Sequence, residues 1–101
     1  MIIVFLTCAD DLEADKISSI LLDKKLIACA KKFPVNSNFW WKGEKDSANE
    51  VLVLLETIEE KFEAIEKKVK KLHSYEIPML FSIPISQTTA EVSKWLKEEL
   101  E

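Results

Sequence analysis

The chain has no arginine: all fourteen of its basic residues are lysine. Without a guanidinium fork it cannot make the planar bidentate contacts on which phosphate and guanine recognition most often rest. Its net charge of -4 gives no basic footprint for a polyanion, so no nucleic-acid partner is expected. A single glycine, Gly43, excludes a glycine-rich phosphate cradle, and no P-loop, G-x-G-x-x-G or G-x-S-x-G motif is present. Only two cysteines occur, Cys8 and Cys29, with no C-x-x-C pairing, which excludes zinc-knuckle and thioredoxin-type motifs. Free thiols in a reducing compartment are the expectation. The opening "MIIVFLTCADD" lacks a positively charged leader region, and its apolar run is too short to span a bilayer. A cytoplasmic protein with no membrane partner is expected.

What is present fits one globular domain over residues 1–101, since a chain of 101 residues can bury one core and not two. "IIVFLT", Ile2 to Thr7, and "VLVLLET", Val51 to Thr57, are unbroken runs of strand-forming residues, the signature of strands covered on both faces. "MLFSIPI", Met79 to Ile85, reads as a further strand, at an edge because Pro84 has no N–H to donate. Leu26 to Phe33 and Val35 to Gly43 read as two strand pieces broken at Pro34, or one long bent strand. The polar "GEKDSANE" beyond them reads as a hairpin-type connection.

Three capping-box patterns announce helices: Asp10 with Glu13, Thr57 with Glu60, and Thr88 with Glu91. The first places Ala14, Ile17, Ile20 and Leu21 on one face. The second carries the apolar stripe Ile58, Phe62, Ile65, Val69 and Leu72. The third is expected to bury Val92, Trp95, Leu96 and Leu100. The order is β-α-β-β-α-β with a C-terminal helix, the α+β ferredoxin-like split β-α-β. Its two crossover helices cover one sheet face, yet the strands are apolar on both. A second copy of the chain is the simplest cover for the other face, so a homo-oligomer is expected.

Residues that could carry chemistry are few. Trp40 and Trp41 are strand neighbours pointing to opposite faces, so they cannot stack together on one ligand; one ring in the core and one in a subunit interface is the expectation. His73, the only histidine, falls where the second helix ends, next to Tyr75 and Glu76. It reads either as a helix-terminal structural group or as a metal ligand whose partners come from Cys8, Cys29, Asp10, Glu56 and Glu76, a set suited to copper or zinc. Cys29, flanked by small apolar residues, reads as a buried, unreactive thiol. Glu56 ends an apolar run and, if buried, needs a lysine partner. No familiar catalytic set is found, and an enzyme is not expected.

"LIACA", "NFWWKGE", "EVLVLLET" and "LHSYEIP", followed by Trp95, together resemble the CutA divalent-cation tolerance family over essentially the whole chain. The positions that carry the resemblance are Thr7; Leu26, Ala28 and Cys29; Ser37, Phe39, Trp40, Trp41 and Gly43; Glu50 and Thr57; Leu72, His73, Tyr75 and Pro78; and Trp95. The resemblance implies a compact homotrimer of ferredoxin-like subunits, similar in architecture to the PII signalling proteins, and a role in tolerance to divalent metal ions, copper included. It implies Cys29 and His73 as metal ligands, Glu56, Tyr75 and Glu76 as residues of an intersubunit cleft, and Phe39, Trp40, Trp41 and Trp95 as interface residues. The sequence departs from the family pattern at Glu56, where lysine is usual, at Ser74 in place of proline, and at Phe39 and Val92 in place of tyrosines. The alternative is a PII-like trimer that binds a small ligand or a protein, with no specific metal role.

Overall fold

The computed structural model describes residues 1–101. The elements are β1 (Ile2–Cys8), α1 (Asp11–Asp23), β2 (Cys29–Trp41), β3 (Glu44–Thr57), α2 (Phe62–Leu72), β4 (Leu80–Pro84) and α3 (Ala90–Leu100), with a short 3-10 turn, Glu59–Lys61, ahead of α2. The strands form one four-stranded sheet in the order β2-β3-β1-β4, every neighbouring pair antiparallel. β1 and β2 both run against the β3 that lies between them, so they are parallel to each other and α1 is their crossover. This is the expected split β-α-β of the ferredoxin-like fold. No helix is long and apolar enough to cross a membrane.

Period-two alternation decides which side chains enter the core. Ile2, Val4, Leu6 and Cys8 of β1 and Val51, Val53 and Leu55 of β3 turn toward the helices. There they meet Ala14, Ile17 and Leu21 of α1 and Ile65 and Val69 of α2 in one buried cluster. Each large aliphatic side chain so buried stabilises the fold by about 1.5–3 kcal/mol.

Apart from its end at Glu50, which the Tyr75 hydroxyl reaches, the opposite face is left open within the chain. Register places Ile3, Phe5, Leu52, Leu54, Phe33, Phe81 and Ile83 on it, with Phe33, Phe81 and Ile83 44%, 43% and 42% exposed. Phe5 and Phe81 stack across β1 and β4 with ring centroids 5.0 Å apart. β1 reaches only Val51 to Thr57 of β3, so the remainder of β2 and β3 runs on as a two-stranded ribbon. A bare ribbon of that kind is marginal in water.

β2 runs unbroken through Pro34, as the reading of one long strand expects; an edge strand tolerates the proline, which has no N–H to donate. Several other local expectations are corrected. "GEKDSANE" is strand from Glu44 onward, and the turn is only Lys42 and Gly43, whose positive φ angles of 51° and 82° make the primed hairpin turn that matches strand twist. Thr57 does not cap α2: it closes β3 fully buried, and its hydroxyl donates to the Leu26 carbonyl at 2.7 Å. The α3 cap is Thr89 rather than Thr88, accepting from the Val92 N–H at 3.2 Å. Trp95 is 38% exposed; Leu96 and Leu100 carry the buried face of α3. Neither Trp40 nor Trp41 lies in the core, being 69% and 38% exposed on the ribbon.

Candidate functional site

The chain's concentrated chemistry lies where β1, the start of α1 and the end of α2 converge. Cys8 is the last residue of β1 and its alternation phase sends it inward, fully buried. Asp10 then caps α1, its carboxylate accepting from the Glu13 N–H at 2.9 Å. Glu13 reaches back, as in a capping box, but one residue further than the usual pattern. Its Oε1 accepts from the Ala9 N–H at 2.9 Å and its Oε2 from the Ser74 N–H at 2.8 Å. One carboxylate thus ties the β1–α1 loop to the segment after α2. Burial would raise the Glu13 pKa, but the Ala9 and Ser74 donors outweigh it and hold the carboxyl below its ordinary 4.5.

His73 ends α2, its N–H donating to the Val69 carbonyl at 2.9 Å, and its side chain has no solvent exposure. Nε2 lies 2.8 Å from the Thr7 carbonyl oxygen and Nδ1 accepts from the Tyr75 N–H at 3.1 Å. A carbonyl only accepts and an amide N–H only donates, so these partners fix the neutral tautomer with the proton on Nε2. Glu13 Oε1 stands 3.6 Å from the same Nε2. Cys8, Glu13 and His73 bring a thiol sulfur, a carboxylate oxygen and an imidazole nitrogen within 4.8 Å of one another, a donor set that fits a small metal ion. Burial, then the carboxylates of Glu13, Asp10 and Glu50, push the Cys8 thiol up to about 12.

Tyr75 extends the cluster toward the uncovered face. Its hydroxyl donates to Glu50 Oε2 at 2.6 Å, and Glu50, 8% exposed, lies by alternation on that face where the ribbon leaves the sheet. Burial and the Glu50 carboxylate raise the tyrosine's pKa.

Cys29 and His73 are not brought together within one chain. Cys29 pairs with Glu56, which is level with Ile3, whereas His73 touches Thr7. The separation is about 13 Å along the strands and two strand spacings, about 10 Å, across them. Cys29 is half-buried on the uncovered face rather than enclosed. Lys31, two residues on, donates to Cys29 Sγ at 3.3 Å and pairs with the Glu56 carboxylate. Glu76 is exposed and lies 4.0 Å from Lys42. Phe39, Trp40 and Trp41 stand along the ribbon, with Lys45 5.7 Å over Trp40 and Lys42 5.6 Å over Trp41.

From the sequence Glu13 reads only as a helix cap and Lys31 carries no motif, although period two from Cys29 puts Lys31 on the same face.

A four-stranded split β-α-β sheet with helices on one face, an apolar uncovered face and a projecting ribbon defines a ferredoxin-like α+β protein. The family model described as CutA1 divalent ion tolerance protein matches residues 2–99, and the chain belongs to that family. It is similar to the divalent-cation tolerance protein CutA of Archaeoglobus fulgidus, 38% identical over 97% of this chain and 96% of the relative. The CutA protein of Thermotoga maritima is 36% identical over 99% of both chains. Among solved structures, that of the periplasmic divalent cation tolerance protein CutA from Archaeoglobus fulgidus superposes with a TM-score of 0.97 at 37% identity, covering 100% of each chain. The crystal structure of CutA1 from Pyrococcus horikoshii gives 0.94 at 34% identity, covering 100% of this chain and 99% of that one.

Proposed function

We propose that this chain works as a homotrimer in the tolerance of, or response to, divalent metal ions, copper among them, by weak binding of the ion rather than by turnover. The observation that carries the assembly is the apolar sheet face, continued by the ribbon, that stays open over most of its extent within the chain. The number three comes from the resemblance to the family, and the cation role from the names its relatives bear. Because Cys29 and His73 stand far apart in one chain, a metal held by both needs ligands from different copies. Two free cysteines favour the cytoplasm as the place of action; cell fractionation tests this.

Calorimetric titration of the purified protein with Cu²⁺ and with Zn²⁺ tests the reading. Saturable heat with micromolar to millimolar affinity, abolished by a chelator, is expected. Absence of saturable heat for either ion contradicts it.

A second reading, a PII-like trimer that takes a small ligand or a protein between copies, is favoured by Lys31. Its ammonium stands on the uncovered face beside Cys29 and Glu56. A ligand that raises the melting temperature while chelators change nothing supports that reading over the metal one.

A further inference from the structure

We propose that Cys8, Glu13 and His73 form, inside each chain, a closed site for one borderline-soft divalent ion of the zinc and cadmium class. The inference deepens the cation reading above and rests on it, but it names a different ligand set from Cys29 and His73.

The donors come from three separate elements: the end of β1, the first turn of α1 and the cap of α2. Ligands about 2.0–2.3 Å from a tetrahedral zinc stand roughly 3.3–3.8 Å apart. His73 Nε2 and Glu13 Oε1 are already 3.6 Å apart, and all three donor atoms lie within 4.8 Å. Side-chain adjustment therefore closes the shell without moving an element. The Thr7 carbonyl oxygen, 2.8 Å from Nε2, becomes the fourth donor once the His73 ring draws back by about 0.5 Å to tetrahedral spacing. A thiolate with an imidazole selects against magnesium and calcium, which prefer shells of oxygen. The contacts that hold the carboxylate are also in place: the Ala9 and Ser74 N–H groups donate to Glu13. The carboxylates of Asp10, Glu13 and Glu50 make the pocket's field negative, which opposes a bare thiolate and favours one neutralised by a dipositive ion. Cys29 has the opposite surroundings, since its sulfur already faces the Lys31 ammonium.

Occupancy has a structural consequence. Cys8 gives its S–H proton to solvent, and the Nε2 proton of His73 moves to Nδ1. Nδ1 can then no longer accept from the Tyr75 N–H. That N–H is released, and with it the setting of the Tyr75 hydroxyl on Glu50. Ion binding is therefore felt at the end of the uncovered sheet face, about one side chain away from the ion.

The test is a Cd²⁺ titration of the chelator-stripped full chain, reading the thiolate-to-cadmium charge-transfer absorption, with calorimetry alongside. One cadmium per chain is expected, with the band retained in Cys29→Ser, whose only thiol is Cys8 and whose core is untouched. Cys8→Ala is expected to lose the band and to weaken Cd²⁺ binding at least about tenfold. The Tyr75 amide resonance of the wild-type protein is expected to shift on saturation. Loss of the band in Cys29→Ser overturns the site. Calorimetric binding of Cd²⁺ without any thiolate band also overturns the site, while leaving the cation reading standing. No binding of Cd²⁺, Cu²⁺ or Zn²⁺ overturns both.

Discussion

Lys31 and Glu56 face each other across β2 and β3 on the uncovered side of the sheet, the ammonium hydrogen-bonded to the carboxylate. The resemblance to the family implies lysine at the position of Glu56, so that glutamate there, taken alone, reverses a charge. Lys31 restores an ammonium to the same patch, so the pair is neutral and the reversal is compensated one strand away. Both residues lie where a covering copy would exclude water.

Lys31→Met leaves the Glu56 carboxylate, 17% exposed, without its cation. Destabilisation of about 1 kcal/mol is expected, read as a lower denaturant midpoint at unchanged slope. The Lys31→Met, Glu56→Met double variant is expected to recover most of the loss, because no unpaired charge remains.

The same pair sets an alkaline dependence. The Glu56 hydrogen bond, followed by that to Cys29, raises the Lys31 pKa above 10.5. A raised ammonium contributes stability that is complete below 10.5 and is lost as pH climbs through the raised value. Lys31 is 59% exposed, so solvent screens the effect to below about 1 kcal/mol. Melting curves on the alkaline side should differ between the wild-type chain and Glu56→Gln, the variant losing less as pH rises.

Glu13 governs the acid side. Its carboxyl is held below 4.5, so the stability it contributes is present above 4.5 and disappears as pH falls through the depressed value. Glu13→Gln keeps one of the two acceptor oxygens and removes the charge. It is expected to be less stable at neutral pH by about 1–2 kcal/mol and to show a flatter acid limb in urea titrations.

His73→Ala strands the Thr7 carbonyl and the Tyr75 N–H beside a cavity. A loss of about 2–4 kcal/mol is expected in chemical denaturation.

Lys25 tests the backbone. α1 ends in a Schellman motif, with Leu26 N–H donating to Leu21 and Lys25 N–H to Leu22, both at 3.0 Å, and Lys25 at a φ of 57° where glycine is usual. Lys25→Gly is expected to stabilise by about 0.5–1 kcal/mol, raising the melting temperature by a few degrees.

Element order and sheet class were legible because the apolar runs and the helical stripe of α2 are strong periodic signals. Their ends were less so. Thr57 and Glu60 have the spacing of a capping box, but Thr57 is drawn into β3 by a buried hydrogen bond to Leu26, a contact between residues far apart in sequence. Residues 44–49 are polar and read as loop, yet they pair with β2 in a ribbon whose side chains are mostly exposed within one chain. The donor cluster was half legible: His73 and Cys8 stood out by residue type, while Glu13 was masked by its capping role. The distance between Cys29 and His73 is a property of strand register, which a list of residue types does not contain.

Solution mass by multi-angle light scattering at micromolar concentration tests most directly whether copies of this chain cover the apolar face built by Phe5, Phe81, Ile3 and Ile83. The expected result is a single species of three times the 11.6 kDa chain mass, which Phe81→Lys dissociates while leaving the wild-type circular dichroism in place. A monodisperse 11.6 kDa species for the wild-type chain would contradict it.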